Sequence, residues 1–128
     1  MAGASLPLEV LDAELELDAV QAAMGQWLER DELPTAVICD SDVQALAALR
    51  ECAICDIAVP QRLSVIGFGD AEFARRAHPA LSTVRVATAE VGSRVAQAAL
   101  AGLKGDEAPA TGVSVKLIVR ESTGPASM

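Results

Sequence analysis

Apolar residues recur along this chain with two periods. From Asp18 to Arg30, Val20, Ala23, Met24, Trp27 and Leu28 fall at i, i+3, i+4, i+7 and i+8. That spacing predicts one stripe of a helix, with Asp18 placed to cap its N-terminus. Ahead of it, Leu8, Val10 and Leu11 stand among acids between Pro7 and Leu17, a pattern read as a short edge strand. Thr35 to Cys39 is an apolar run read as a buried strand, and it leads into Asp40-Ser41-Asp42, where Ser41 and Gln44 have capping-box spacing. The helix opened there carries Val43, Leu46, Ala47, Leu49 and Arg50 to about Cys55, before Val59-Pro60. Leu63 to Phe68 is a second buried strand, which Gly69-Asp70 turns into a short helical stretch from Ala71 to Arg76. Leu81 to Val86 reads as a third strand. Thr88 then opens a long helix with Val91, Val95, Ala98, Ala99 and Leu103 on one face, ending near Gly105. A polar loop from Gly105 to Gly112, a strand from Val113 to Val119 and a frayed tail from Ser122 complete the chain. Successive strand-to-helix units predict an α/β fold around a parallel sheet with crossover helices.

Composition narrows the choices. At 128 residues and 52% hydrophobic, the chain suits one globular domain spanning 1–128. Aromatic residues make up only 2%, so a core of Ala, Val and Leu must pack closely or lean on something outside the chain. The net charge is −8 and the Arg and Lys residues are scattered, which gives no basic stripe and predicts no direct contact with DNA. Met1 to Leu8 has no charged n-region followed by an apolar stretch, and nowhere do eighteen apolar residues run together. A soluble, cytoplasmic protein without a membrane partner is expected. Cys39, Cys52 and Cys55 are an odd set, read as reduced thiols.

Several ordered motifs are more specific than their periodicity. Pro34-Thr35-Ala36-Val37-Ile38-Cys39, Asp42-Val43-Gln44-Ala45-Leu46-Ala47-Ala48-Leu49, Ala58-Val59-Pro60 and Leu63-Ser64-Val65-Ile66-Gly67-Phe68-Gly69-Asp70 follow one another in that order. Pro79-Ala80-Leu81-Ser82-Thr83-Val84-Arg85, Gly92 and Val119-Arg120-Glu121-Ser122-Thr123 come after them. This succession resembles the effector-binding domain of lactose/galactose-repressor (LacI/GalR) family transcription regulators, from about Pro34 to Thr123. Gly67-Phe68-Gly69-Asp70 and Glu51-Cys52 look most like the gluconate-repressor subgroup. The resemblance implies a partial type I periplasmic-binding-protein-like fold of Rossmann-like lobes. Residues 8–78 would belong mainly to the C-terminal lobe, 81–105 would cross into the N-terminal lobe, and 113–120 would form the returning strand. The helix-turn-helix, the hinge helix and the early strands of both lobes have no counterpart in the chain.

Site residues follow from the strand ends, where open α/β sheets place their ligand crevice. Ser41 and Asp42 stand after one strand; either one bonds an effector hydroxyl, or they cap the following helix. The resemblance puts Ser41 where the family often uses an Asn. Gly69 aligns with the family's effector-binding Asp, and the loss of that carboxylate suits an anionic effector. The alternative is that Gly69 supplies a positive φ and Asp70 caps the helix at Ala71. Arg85 and Arg120 are candidates to meet a carboxylate or phosphate, against a structural pairing with an acid. Thr88 and Val91 align with family positions near the effector, at a helix start whose amides favour anions. Small residues Ala47 and Ala48, taken as exposed, with Arg75 and Arg76 fall where the family forms its dimer interface, against a merely solvated face.

Other chemistries have weaker support. Cys52-Ala53-Ile54-Cys55 lies in a last helical turn, where the dipole disfavours a thiolate, so Cys52 is read as core. One His, His78, and no second cysteine pair argue against zinc and against a hydrolase triad. Glu72 occupies the position where a dinucleotide fingerprint needs a third glycine. Asp56 replaces a helix-ending glycine of the family. No cofactor, metal or catalytic residue is predicted. The expected role is non-enzymatic sensing of a small sugar or sugar acid, coupled through lobe closure to a DNA-binding domain absent from this chain. The alternatives are a free-standing interaction module that pairs with itself or a homologous chain, and an inactive truncated product.

Overall fold

The structure, a computed structural model, describes residues 7–12, 16–107 and 112–126. Its elements are α1 (Leu17–Leu28), β1 (Ala36–Ile38), α2 (Asp42–Ile54), β2 (Ser64–Phe68), a 3-10 helix (Glu72–Arg76), β3 (Ser82–Val86), α3 (Thr88–Lys104) and β4 (Val115–Ile118). The sheet order is β1-β2-β3-β4, with the first three strands parallel and β4 antiparallel to β3. This is the predicted α/β fold with flanking helices. One correction is that the sheet is mixed, because β4 runs along the outer edge of β3 in the opposite sense.

One face of the sheet is packed. Val20, Met24, Trp27 and Leu28 of α1 meet Ala45, Ala47, Ala48, Leu49 and Cys52 of α2 in one cluster with Leu63, Val65, Ala74 and Leu81. Alanines let the two helices approach closely, so a core with one Trp still excludes water. Gly67 serves the same end in β2: a Cβ there would run into Asp42 and stand 3.2 Å from the Ala45 Cβ. Only a glycine lets the start of α2 lie so near the strand.

The other face is open. Partnered residues in adjacent strands share a face, so Ile38, Ile66, Phe68, Val84, Leu117, Val86 and Val115 line one side. Ile38 is 82% exposed, Leu117 56% and Phe68 44%. No residue of α3 is buried.

Several expectations change. Residues 7–12 form no strand, and residues 13–15 of that stretch lie outside the described residues. Asp18 does not cap α1; the N-cap is Glu16, which makes no side-chain cap bond, and Asp18 lies in the first turn. β1 is not buried but an edge strand whose outer face has no cover. Val95 and Leu103 of the supposed inner face of α3 are exposed, since no described element packs on them. Ala47 and Ala48, expected to be exposed at a dimer interface, are 1% and 0% exposed because α1 covers them. Asp56 takes the left-handed conformation at φ 55° in place of a glycine, and the Ile57 amide closes the end of α2 on the Cys52 carbonyl at 2.8 Å. Gly105 ends α3 at φ 77° as predicted, while residues 108–111 of the following loop, and residues 1–6 at the start, lie outside the described residues.

The tail from Ser122 is not frayed. Ser122 is fully buried, and its hydroxyl donates to the Val65 carbonyl at 2.6 Å and accepts from the Ser82 amide at 2.8 Å. Its carbonyl accepts from the Val65 amide at 2.8 Å. The tail thereby fills the gap between β2 and β3 where β3 has not yet begun. Residues 127–128 lie outside the described residues.

Candidate functional site

The parallel strands deliver their C-terminal ends to one side of the domain. Ser41 follows β1, Gly69 and Asp70 follow β2, and Thr88 follows β3. Ser41 caps α2 as its spacing predicts: its hydroxyl oxygen accepts from the Gln44 amide at 3.2 Å. The hydroxyl hydrogen stays available for a ligand oxygen.

Asp42, 2% exposed, turns inward. One carboxylate oxygen accepts from the Thr83 hydroxyl at 2.5 Å and the other from the Ala71 amide at 2.6 Å. Asp42 therefore binds the 3-10 segment and β3 to the start of α2, and neither of its oxygens is left without a donor. The Thr83 oxygen also accepts from the Asp70 amide at 3.3 Å, which ties the turn after β2 to the same group.

Asp70 is not a helix cap; the Ala71 amide goes to Asp42 instead. Gly69 at φ 120° and Asp70 at φ 52° make a sharp reversal that points the Asp70 carboxylate across the sheet. One oxygen accepts from Arg120 Nη2 at 2.6 Å, and the other takes Arg85 Nε at 2.6 Å and Nη2 at 2.5 Å. The Asp70 side chain is 8% exposed, against 16% for Arg120 and 54% for Arg85. The Arg120 hydrogen bond, opposed by burial and helped by Arg85, holds the Asp70 carboxyl below the usual carboxylate range. Arg120 also donates to the Leu81 carbonyl at 2.8 Å, so it is a structural anchor first. Arg85 keeps half its surface in solvent.

Of the predicted site residues, the structure joins Asp42, Asp70 and Arg85 through Thr83 and Arg120. Gly69 lies in the same turn. Thr88 is exposed and Val91 half-buried at the start of α3, with no recorded side-chain bond to that group. Arg75 and Arg76 are exposed and share Glu72 at 3.7 and 3.1 Å. The exposed residues of α2 are instead Val43, Leu46, Arg50, Ala53 and Ile54, and Leu46 and Arg50 line a groove of about 510 Å³ with Leu17 and His78. Sequence reasoning missed Thr83, because its link to Asp42 depends on strand order. The legible signal was a pair of hydroxyls, Ser82 and Thr83, opening that strand.

Cys39 and Cys52 are not poised as thiolates. Burial, then Asp40 and Cys52, push Cys39 up to about 12, and burial, then Cys55 and Glu51, push Cys52 up to about 11. Both stay protonated at neutral pH. Among the described residues no cluster of His, Cys, Asp and Glu could hold a metal ion, and no helix is long and apolar enough to cross a membrane.

A family profile described as a periplasmic binding protein-like domain matches residues 3–123. The chain belongs to that family, in the form carried by LacI-family regulators. It is 31% identical over 119 residues to the HTH-type transcriptional repressor CytR of Escherichia coli K12, which covers 91% of this chain and 35% of CytR. Among solved structures, a LacI family transcriptional regulator from Bifidobacterium animalis subsp. lactis superposes with a TM-score of 0.82 at 30% identity, covering 90% of this chain and 43% of that one. The regulator CelR in complex with cellobiose superposes with a TM-score of 0.77 at 30% identity, covering 86% of this chain and 34% of that one. The chain thus spans about a third of the length of the curated relatives it matches. These relatives are transcriptional regulators.

Proposed function

We propose that this chain is the effector-sensing portion of a cytoplasmic LacI-type regulator, non-enzymatic, with a small sugar or sugar acid as effector. Gluconate is the first candidate, from the Gly67-Phe68-Gly69-Asp70 motif. The observation that carries the reading is the turn at Gly69-Asp70, held rigid at the strand ends by Asp42, Thr83 and two arginines. A pre-organised polar rim at that position can orient a polyol without cofactor or catalyst. The family's CelR, with cellobiose bound, supports the sugar class. Residues 81–105 take the chain toward the N-terminal lobe, and no residue of α3 is buried because its packing partner belongs there. An effector held between the lobes shifts their closure and so the placement of a DNA-binding domain elsewhere in the regulator.

Two copies would pair through the outer face of α2, with Leu46, Arg50 and His78 in place of the buried alanines. A thermal-shift screen with gluconate, related acids and neutral hexoses tests sensing. A ligand at a hundred times its Kd stabilises the native state by about 2.7 kcal/mol and raises Tm. No shift with any sugar at millimolar concentration overturns the reading.

The open sheet face favours a second reading, a free-standing module that pairs with another chain. Sedimentation tests it: a folded monomer at micromolar concentration rejects the module, and with it the pairing through α2.

A further inference from the structure

We propose that Arg75, Arg85 and Lys116 form an oxoanion subsite beside Asp70, which receives the carboxylate or phosphate of an anionic sugar. This deepens the effector reading above and rests on it. The first observation is a polar pocket of about 100 Å³ lined by Asp70, Ala71, Glu72, Arg75, Arg85 and Arg120. It has room for one oxoanion group and not for a whole sugar, so the polyol body lies outside it.

The second observation is an excess of positive charge in a strongly acidic chain. Arg75, Arg85 and Arg120 line the pocket with two carboxylates, Asp70 and Glu72, and Lys116 is the cross-strand partner of Arg85, while the chain as a whole carries a net charge of −8. Asp70 is committed to Arg85 and Arg120. Glu72 is divided between Arg75 at 3.7 Å and Arg76 at 3.1 Å, so Arg75 is only loosely held. Its side chain is 63% exposed and free to swing toward a ligand.

The third observation is the register of β3 and β4. Arg85 and Lys116 are direct partners across the antiparallel pair, so their side chains leave the same face side by side. Like charges in that arrangement repel unless an anion bridges them. The recorded bonds of Arg85 use Nε and Nη2 on Asp70, which leaves Nη1 for a second oxygen. Lys116 makes no recorded ion pair among the described residues, and its ammonium can reach toward the same oxygen group. Asp70 fixes the guanidinium plane, and a fixed fork loses less entropy on binding an oxoanion.

The test is calorimetry on the full chain at fixed ionic strength in chloride, with gluconate, glucose 6-phosphate, glucose and inorganic phosphate. The variants are Lys116→Gln and Arg75→Gln, with Arg94→Gln on α3 as a charge control. Lys116→Gln removes no recorded bond and leaves the Asp70 pairs intact, so it reports binding and not folding. The expected result is that gluconate or glucose 6-phosphate binds at least tenfold more tightly than glucose. Lys116→Gln and Arg75→Gln each lower that preference about tenfold; Lys116→Arg and Arg94→Gln preserve it. Which of the two acids wins separates a carboxylate from a phosphate ligand.

An acid-to-neutral ratio unchanged in both variants overturns the subsite. Glucose binding as tightly as the acids overturns the subsite and leaves the effector reading intact. Inorganic phosphate binding that depends on Lys116, with no sugar bound, upholds the subsite and rejects the effector reading. No binding of any probe rejects both.

Discussion

The two faces of the sheet both carry apolar residues and have different fates. On one, the apolar stripes of α1 and α2 close over Leu63 and Val65, which are fully buried. On the other, Ile38, Phe68 and Leu117 stand exposed, and α3 presents Val95, Leu100 and Leu103 to solvent. Periodicity therefore says that a face wants a partner, not that the partner is in the same chain. The packed face carries the stability of this domain; the open face is where the proposed function has it meet the rest of a larger regulator.

The largest contrast is predicted for leucines on the two sides. Leu63→Ala should cost about 3 kcal/mol in urea unfolding, since it leaves a cavity among alanines that cannot collapse far. Leu103 is 85% exposed, and Leu103→Ala should change stability by less than about 0.5 kcal/mol in the same assay. Equal losses would mean that α3 is packed in solution, and the contrast between faces would fail.

Between these lie the polar links. Asp70→Asn should cost about 2 kcal/mol, because Arg120 and Arg85 lose a charged acceptor. The Asp70 carboxyl is held below its ordinary value, so its stabilisation is fully present above about pH 3.9 and is lost as pH falls through the lowered pKa. Unfolding curves from neutral to acid pH should be flatter for the variant. Ser122→Ala should cost about 1.5 kcal/mol, since it strands the Ser82 amide without its acceptor in a buried place. Amide exchange at Ser82 checks that directly, and an unchanged rate would return the tail to the exposed side of the comparison.

Much of this was legible along the chain. The stripe Val20, Met24, Trp27 and Leu28, the Ser41 cap and the strand at Leu63 to Phe68 stand as predicted, because each depends on neighbours within a few residues. The candidate site was only half legible. Asp70 and Arg85 were named, but Asp70 was read as a cap, since nothing local reveals that residues 15 and 50 positions later supply its partners. Ala47 and Ala48 were misjudged because a small residue suits a helix contact inside a domain as well as between domains.

From α1 onward, the sequence by itself determined the elements, their order and the family's motif spacing, all of which follow from local periodicity and turn chemistry. Tertiary structure alone decided burial and pairing. It brought Thr83 between Asp42 and Asp70, set Lys116 beside Arg85 and drew Ser122 into the gap between two strands. Each is a contact across many residues of chain, fixed by strand register and not by any local preference.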